Sequence, residues 1–136
     1  MTTVEIPYSI AAVLPTLTVM DITNDLSHEL RDSGRTKGIA YITSGPGPSL
    51  IRINERESGF FEDLEGLLER LVPLADGDRE RMVQMLLGPR TEQVPFAKGA
   101  FCLGTYQRVL QFSFGGHRGR DWTLTLLGKL EGANHR

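Results

Sequence analysis

Residues 50–73 read LIRINERESGFFEDLEGLLERLVP, a stretch that joins a strand pattern to the strongest helix pattern in the chain. Residues 50–54 alternate in the manner of a strand, with two isoleucines on one face and polar groups toward the end of the other. From Ser58 to Val72, apolar side chains recur at helical spacing, and Pro73 ends the pattern. The stretch therefore predicts a strand that leads into an amphipathic helix with one buried face.

Similar patterns on either side of this stretch predict further short elements. A helix begins near Asp21 or Thr23 and ends at Gly34, and a third helix begins at Asp78, ends at Gly88 and packs inward through its apolar side chains, which are Met82, Val83 and Leu86. The predicted strands cover residues 3–8 (an edge strand), 16–20, 38–43, 50–54, 100–103, 106–114 and 122–126. Because strands and helices do not alternate strictly, the order predicts an α+β fold.

Length and composition predict one domain spanning residues 1–136, with a frayed tail at residues 131–136. No apolar run approaches the ~18 residues of a membrane span, so no membrane partner is expected. The net charge of −2 argues against a general electrostatic attraction to nucleic acid. The single cysteine, Cys102, excludes an internal disulfide and suits a reducing cytoplasm.

The histidines and the cysteine do not form a recognisable metal or nucleophile motif. His28 is expected on the solvated face of its helix, His135 lies in the tail, and His117 is flanked by arginine rather than carboxylate. Since a metal site needs three or four converging ligands, we expect no metal and no cofactor. Cys102 lies between Phe101 and Leu103, so we expect a buried and unreactive thiol.

Arginines are concentrated at predicted turns and element ends. They are Arg79, Arg81, Arg108, Arg118 and Arg120. Cations are unfavourable at a helix N-terminus, where Arg79 and Arg81 are predicted to lie, which suggests a requirement other than helix stability. Guanidinium groups bind carboxylate or phosphate in a bidentate manner. Ion pairing with surface acidic residues is the alternative explanation, and the sequence leaves both open.

Two polar residues close the strand at residues 50–54 just before the main helix. Asn54 and Glu55 stand where site residues are often presented, and Glu55 could act as a base, as a ligand or as a cap of the following turn. The preceding loop, residues 44–49, is rich in glycine and proline but does not open a helix, so a phosphate cradle is not favoured there.

Several segments, in this order and spacing, resemble the YjbQ-like proteins, a family named for secondary thiamine-phosphate synthase activity. They are Asp21-Ile22-Thr23, Leu50 with Ile53-Asn54-Glu55, the leucine-rich helix ending at Pro73, Gly77-Asp78, Leu86-Leu87-Gly88-Pro89, Leu103-Gly104-Thr105-Tyr106-Gln107-Arg108, and a late Gly-x-Arg turn. The resemblance extends from about residue 16 to Gly128. It implies an α+β domain with a mixed, largely antiparallel sheet, assembled as a homotrimer.

The resemblance also implies a site between subunits, lined by histidines and acidic groups and suited to a metal or an anion. Counting back from Leu50, the family's first histidine falls at Gly45 and its threonines at Pro46 and Gly47. The second histidine group falls at Arg79 and Arg81, and an acidic residue falls at Ser113. Positions that match the family are Asn54, Glu55, Gly104, Thr105, Tyr106, Gln107 and Arg118.

Replacing imidazoles by guanidinium groups would turn a metal site into one that attracts anions. The leading hypothesis is therefore a trimeric protein that binds a small anionic or phosphorylated metabolite at a subunit boundary. Charge would be neutralised by Arg79, Arg81 and Arg118, and the ligand would be oriented by Asn54, Glu55, Thr105 and Gln107. The alternatives are an active thiamine-phosphate synthase-like enzyme that uses Glu55, with His117 of another subunit as a possible partner, and a non-catalytic structural trimer.

Overall fold

The structure, a computed structural model, describes residues 9–73, 77–114 and 121–130. In chain order the elements are β1 (Ile10–Leu14), β2 (Leu17–Asp21), α1 (Thr23–Ser33), β3 (Arg35–Ser44), β4 (Ser49–Glu55), α2 (Ser58–Leu71), α3 (Arg79–Leu87), β5 (Thr91–Ala97), β6 (Ala100–Phe101), β7 (Gln107–Phe114) and β8 (Trp122–Leu130). The α+β prediction is confirmed.

The strands form two four-stranded sheets rather than one. The first sheet has the order β1-β2-β7-β4 and the second has the order β6-β5-β3-β8. All the strand pairs within the described residues are antiparallel. The predicted largely antiparallel character is therefore confirmed, and each sheet combines strands from both halves of the chain.

The first sheet has a buried layer on each face. One face packs against α2 and α3 through a core that includes Leu50, Phe61, Leu110 and Phe112. The opposite face joins the second sheet and α1 through a core of buried apolar residues, which are Ile22, Leu26, Leu30, Ala40, Ile42, Ile51, Val94, Phe96 and Val109. Because β7 contributes to both cores, its residues Val109 to Phe114 are all buried, including the polar ones.

The helices α1 and α2 agree with the sequence prediction. α1 ends at Gly34, whose φ of 74° provides the left-handed conformation expected at a helix C-terminus. α2 buries Phe61 and Leu68 on the face that its apolar spacing predicts. Helix α3 differs, since only Arg79 and Val83 are buried. The prediction that Met82 and Leu86 pack inward is wrong: they are 47% and 59% exposed.

Strands β1 and β5 were not predicted from the sequence. The predicted strand at residues 3–8 lies outside the described residues, as does the tail at residues 131–136. β5 contains Pro95, which argues against a strand, yet the O atom of Pro95 accepts a hydrogen bond from the N–H of Cys102. Since N and O of one strand residue point to the same side, the proline nitrogen faces away from β3, so no bond between the two strands is lost.

β3 and β8 approach closely where two glycines face each other. Gly38 is paired with Gly128, and a Cβ at Gly38 would lie 2.6 Å from the Cα of Gly128 and still nearer to the carbonyl oxygen of Leu127. Both neighbours are backbone atoms and cannot rotate away. The pairing of β3 with β8 therefore requires glycine at this position.

We expect Gly38→Ala to lower the free energy of unfolding by about 1–3 kcal/mol, because the added methyl group overpacks the strand pair. Gly77→Ala is the control, since a Cβ there meets no atom within 4 Å. Urea denaturation of both variants measures the difference. Equal stability of the two variants would contradict the strand pairing.

Candidate functional site

Three of the predicted site residues meet where β4 ends and β7 begins. Glu55 is paired with Gln107 across the two strands, and Asn54 precedes Glu55. These three residues, the strand-end cluster, line a cavity of about 400 Å³ together with Ile53, Glu57 and Phe60. The pairing of β4 with β7 therefore brings together residues that lie about fifty positions apart in the chain.

Local hydrogen bonds fix most polar groups of the strand-end cluster. The side-chain Oε1 of Gln107 accepts a hydrogen bond of 2.7 Å from the N–H of Gly104, which closes the turn that carries the exposed Thr105. Asn54 donates from Nδ2 to the carbonyl of Glu55 at 3.1 Å. The Glu55 carboxylate is exposed at the cavity, where it can accept a hydrogen bond or a proton from a ligand.

A buried carboxylate lies beside this cluster and holds two arginines. The side chain of Asp21 is fully buried, and its Oδ2 accepts hydrogen bonds from Arg56 at 3.2 Å and from Arg108 at 2.8 Å. Burial alone would raise the pKa of Asp21, but hydrogen bonds from Arg108 and Thr23 outweigh it and hold the pKa below 3.8. Two guanidinium groups thus share one carboxylate, and the group as a whole has a net positive charge.

A wide groove opens at the opposite end of β4. The α3 groove, as we call it, is about 1150 Å³ in volume and is lined by Gly47, Pro48, Leu71, Val72, Asp78, Glu80, Arg81, Met82, Gln84, Met85 and Leu86. The fold therefore brings the loop after β3 next to α3. These are the two segments in which the resemblance to the YjbQ-like proteins expects histidines.

The predicted arginines have different environments. Arg81 lines the α3 groove, is largely exposed and forms an ion pair of 2.7 Å with Asp78. Arg79 is only 5% exposed and donates from Nε to the carbonyl of Val72 at 2.8 Å. Arg118 and Arg120 lie outside the described residues. The structure describes three of the predicted arginines, Arg79, Arg81 and Arg108. Of these three, Arg81 has the side chain that is largely exposed.

The strand-end cluster and the end of the α3 groove at Gly47 and Pro48 lie at opposite ends of β4. Ser49 is paired with Ser113 at one end of β4, and Glu55 is paired with Gln107 at the other. Six residues of extended strand span about 20 Å. The other end of the α3 groove, at Leu86, adjoins Leu87, whose carbonyl accepts a hydrogen bond from Arg52 in the middle of β4. The predicted site residues that the structure describes therefore form two groups along β4, one at each end.

The position assigned to the family's first histidine is closed. A Cβ at Gly45 would overlap the Cβ of Asp121 and lie 2.9 Å from its carbonyl oxygen. The N–H of Gly45 itself donates to that carbonyl at 2.6 Å. No side chain fits at residue 45 with this backbone. The position assigned to the acidic residue, Ser113, is fully buried.

The described residues contain no group of three or more histidine, cysteine, aspartate or glutamate side chains placed to hold a metal ion. His28 is exposed on α1, as predicted, with Nε2 3.3 Å from Asp32. His117 and His135 lie outside the described part of the chain. Among the helices of residues 9–73, 77–114 and 121–130, none has both the length and the apolar character needed to cross a bilayer.

The prediction of a buried Cys102 thiol is wrong, because this residue is exposed. β6 ends at Phe101, so Cys102 follows the strand at the margin of the second sheet. Phe101 and Leu103 are partly buried against the core, and the side chain between them projects outward.

Two residues near the candidate sites, Arg56 and Gln84, were not identified from the sequence. Arg56 directly follows Glu55 and forms an ion pair with Asp21, which lies thirty-five positions earlier in the chain. The one signal in the sequence is that Asp21 and Arg56 both lie at the end of a predicted strand. Gln84 lines the α3 groove, and both polar atoms of its side-chain amide are buried without a hydrogen-bond partner. A single glutamine within a helix gives no such signal in a sequence.

Comparison with known proteins gives consistent matches. The family model described as UPF0047 protein YjbQ-like matches residues 15–129. A UPF0047 protein from Methanothermobacter thermautotrophicus is 31% identical over 119 residues, which cover 82% of this chain and 83% of that protein. A UPF0047 protein from Archaeoglobus fulgidus is 31% identical over 113 residues, which cover 75% of this chain and 85% of that protein.

Solved structures show the same fold. A hypothetical protein from Aeropyrum pernix superposes with a TM-score of 0.71 at 24% identity, over 83% of this chain and 90% of its own. An uncharacterised conserved protein of the YjbQ/UPF0047 family from Clostridium acetobutylicum has a TM-score of 0.73 at 23% identity, over 82% of this chain and 92% of its own.

We expect Asp21→Asn to cost about 1.5–3 kcal/mol of stability at neutral pH, because it removes the carboxylate that accepts hydrogen bonds from the two arginines. Since the pKa of Asp21 in the folded state lies below 3.8, the native protein keeps this stabilisation above about pH 4 and loses it as the pH falls further. The stability difference between the two proteins should therefore narrow in acid. Urea denaturation between pH 7 and pH 2.5 measures it.

Asp63→Asn, an exposed change on α2, is the control and should leave the stability unchanged. A difference between Asp21→Asn and the native protein that persists undiminished at pH 2.5 would contradict the assigned role of the Asp21 charge.

Proposed function

This chain belongs to the YjbQ-like UPF0047 family, and from that premise we propose that it binds a small anionic ligand, such as a phosphorylated metabolite, and that it has lost the family's histidine metal site. The observation that carries the proposal is the closure of position 45 by Asp121. Where the resemblance expects an imidazole, no side chain fits. Arg81 lies at the position assigned to a second histidine and lines the groove beside this loop.

The charge of Arg81 supports an anion as the ligand. A guanidinium group stays protonated at neutral pH and cannot act as a general base or bind a divalent cation. Both side chains of the ion pair between Arg81 and Asp78 are exposed to solvent, so this ion pair contributes little free energy. A doubly charged phosphate monoester can compete with one exposed carboxylate for the same group. Arg118, which matches the family, is the second proposed cation.

The separation of the two site groups supports a binding site at a subunit boundary. About 20 Å of strand lies between the end of the α3 groove at Gly47 and Pro48 and the strand-end cluster in one chain. In the homotrimer that we propose, the groove of one subunit would meet Asn54, Glu55, Thr105 and Gln107 of the next. These polar side chains would orient the ligand, while Arg81 and Arg118 would neutralise it. The exposed Cys102 thiol suits a reducing cytoplasm, where we place the protein.

We expect pyrophosphate to raise the melting temperature of the protein by several degrees at saturating concentration, because a ligand that binds only the folded state stabilises it by about 2.7 kcal/mol at one hundred times its Kd. Arg81→Gln should abolish the shift in melting temperature, because it removes the positive charge. The glutamine side chain remains polar and can still donate hydrogen bonds, so that only the charge is tested. Differential scanning fluorimetry with phosphate, pyrophosphate and thiamine phosphate measures the effect.

Arg31→Gln, an exposed change on α1, is the matched control and should keep the shift. An equal shift in Arg81→Gln and Arg31→Gln would contradict the proposed anion site. Stoichiometric zinc in the purified protein, or turnover that depends on Glu55, would favour the thiamine-phosphate synthase-like enzyme instead.

Mixed subunits test whether two chains build each site. Arg81→Gln and Gln107→Ala should each bind pyrophosphate poorly when pure. After the two variants are unfolded together and refolded at equal amounts, about a quarter of the sites of a cyclic trimer should regain both residues. Calorimetric titration measures the recovered stoichiometry. No recovery in a mixture that sediments as trimers would contradict a shared site, and a monomer in sedimentation would contradict the trimer itself.

A further inference from the structure

A half-buried arginine lies between the two site groups. Arg52 is in the middle of β4, and its Nη2 donates a hydrogen bond to the carbonyl of Leu87, the last residue of α3. Its Nη1 donates to the carbonyls of Ile51 at 2.8 Å and Pro89 at 3.2 Å. Three backbone carbonyls therefore hold the guanidinium in one place, so that a ligand does not have to immobilise a flexible side chain.

The charge of Arg52 has no counter-ion in the part of the chain that the structure describes. Its three bonding partners are neutral carbonyls, and no ion pair joins it to a carboxylate there. At least two of its five N–H groups, including the one on Nε, also lack a partner among these residues. Nε and Nη2 belong to one planar group, whose fork of N–H donors matches two oxygens of a phosphate or carboxylate.

This guanidinium lies at a cavity that adjoins the strand-end cluster. Arg52 lines a cavity of about 240 Å³. Ile53, Asn54 and Phe60 line both this cavity and that of the strand-end cluster, so that the two adjoin. The other residues that line the smaller cavity are all apolar, namely Leu50, Leu64, Leu87 and Phe112. Charges attract more strongly in apolar surroundings than in water, and the same surroundings favour an apolar substituent on the ligand.

We infer that Arg52 is a further ligand-binding residue, and that its guanidinium binds a phosphate or carboxylate that carries an apolar group. The apolar group lies against Phe60 and Leu64 in the smaller cavity. Asn54 follows Arg52 by two residues on the same face of β4, so one ligand contacts both. The inference rests on the strand-end cluster being part of the ligand site of the proposed function. It adds a cation of the same chain and the chemical class of the ligand's uncharged part.

Calorimetric titration of phenyl phosphate, methyl phosphate and benzoate into the full chain tests this inference. We expect phenyl phosphate to bind more tightly than methyl phosphate and with a negative heat-capacity change, because its ring buries apolar surface. Leu64→Asn should reduce this preference for the ring and leave the affinity for methyl phosphate unchanged. Benzoate binding more tightly than phenyl phosphate would identify the anionic group as a carboxylate, and weaker binding would identify it as a phosphate.

Two variants of Arg52 separate its charge from its bonds to the backbone. Arg52→Gln should weaken phenyl phosphate and methyl phosphate by the same factor, about ten-fold, because a hydrogen-bonded charge is lost. Arg52→Lys keeps the charge and loses the planar fork, so its affinities should lie between those of Arg52→Gln and the native protein. If Arg52 served only to join β4 to residues 87–89, its loss would distort the apolar lining and lower the preference for the ring instead.

Arg35→Gln is the matched control for these variants. Arg35 also donates to a backbone carbonyl, that of Gly128, but it lies on the second sheet. Arg35→Gln should therefore leave the affinities for both phosphates unchanged. Equal losses of affinity in Arg52→Gln and Arg35→Gln would contradict a specific role of Arg52.

The outcomes separate this inference from the proposed function. Pyrophosphate binding that depends on Arg81, with no binding of phenyl phosphate or benzoate, would leave the proposed function standing and overturn the inference. Phenyl phosphate binding that depends on Arg52 and persists in Arg81→Gln would support the inference and contradict the role assigned to Arg81. Phenyl phosphate binding that is as tight in Arg52→Gln as in the native protein would overturn the inference.

Discussion

The pairing of β4 with β7 is the constraint on which the rest of the molecule depends. Seven residue pairs, from Ser49 with Ser113 to Glu55 with Gln107, join the middle of the chain to its last third. Both hydrophobic cores include residues of these two strands. The same pairing sets where the functional groups can lie, because one end of the strand pair carries the polar cluster and the other adjoins the groove. The length of this strand pair therefore sets the distance between the strand-end cluster and the loop end of the α3 groove.

Much of the fold could be predicted from local patterns. The residues of α2 repeat their apolar side chains at helical spacing, and the glycine after α1 adopts the conformation that ends a helix. Strand β8 alternates its residues as expected, with Trp122, Leu124 and Leu126 against the core. In each case the signal lies within a few residues of the element that it predicts, and no distant contact is needed to interpret it.

The remaining features depend on contacts between distant parts of the chain. Pro95 fits in β5 because of the side on which its carbonyl meets Cys102, and the exposure of Met82 and Leu86 depends on how α3 lies on the first sheet. The candidate site shows the same limit. The strand-end pattern identified Asn54 and Glu55, and the resemblance to the YjbQ-like proteins identified Gln107, which the strand pairing brings to them. Neither could place Arg81 in the α3 groove. The unpartnered amide of Gln84 depends on burial, which no single residue type reveals.

Gly45 also restricts the order in which substitutions can be accepted during evolution. Because Asp121 occupies the space where a side chain at residue 45 would begin, any larger residue there first requires a change in the path of the chain near residue 121. A single substitution of Gly45 by a larger residue is therefore expected to give a poorly folded protein. Residues 45 and 121 are in direct contact, so we expect their substitutions to be non-additive.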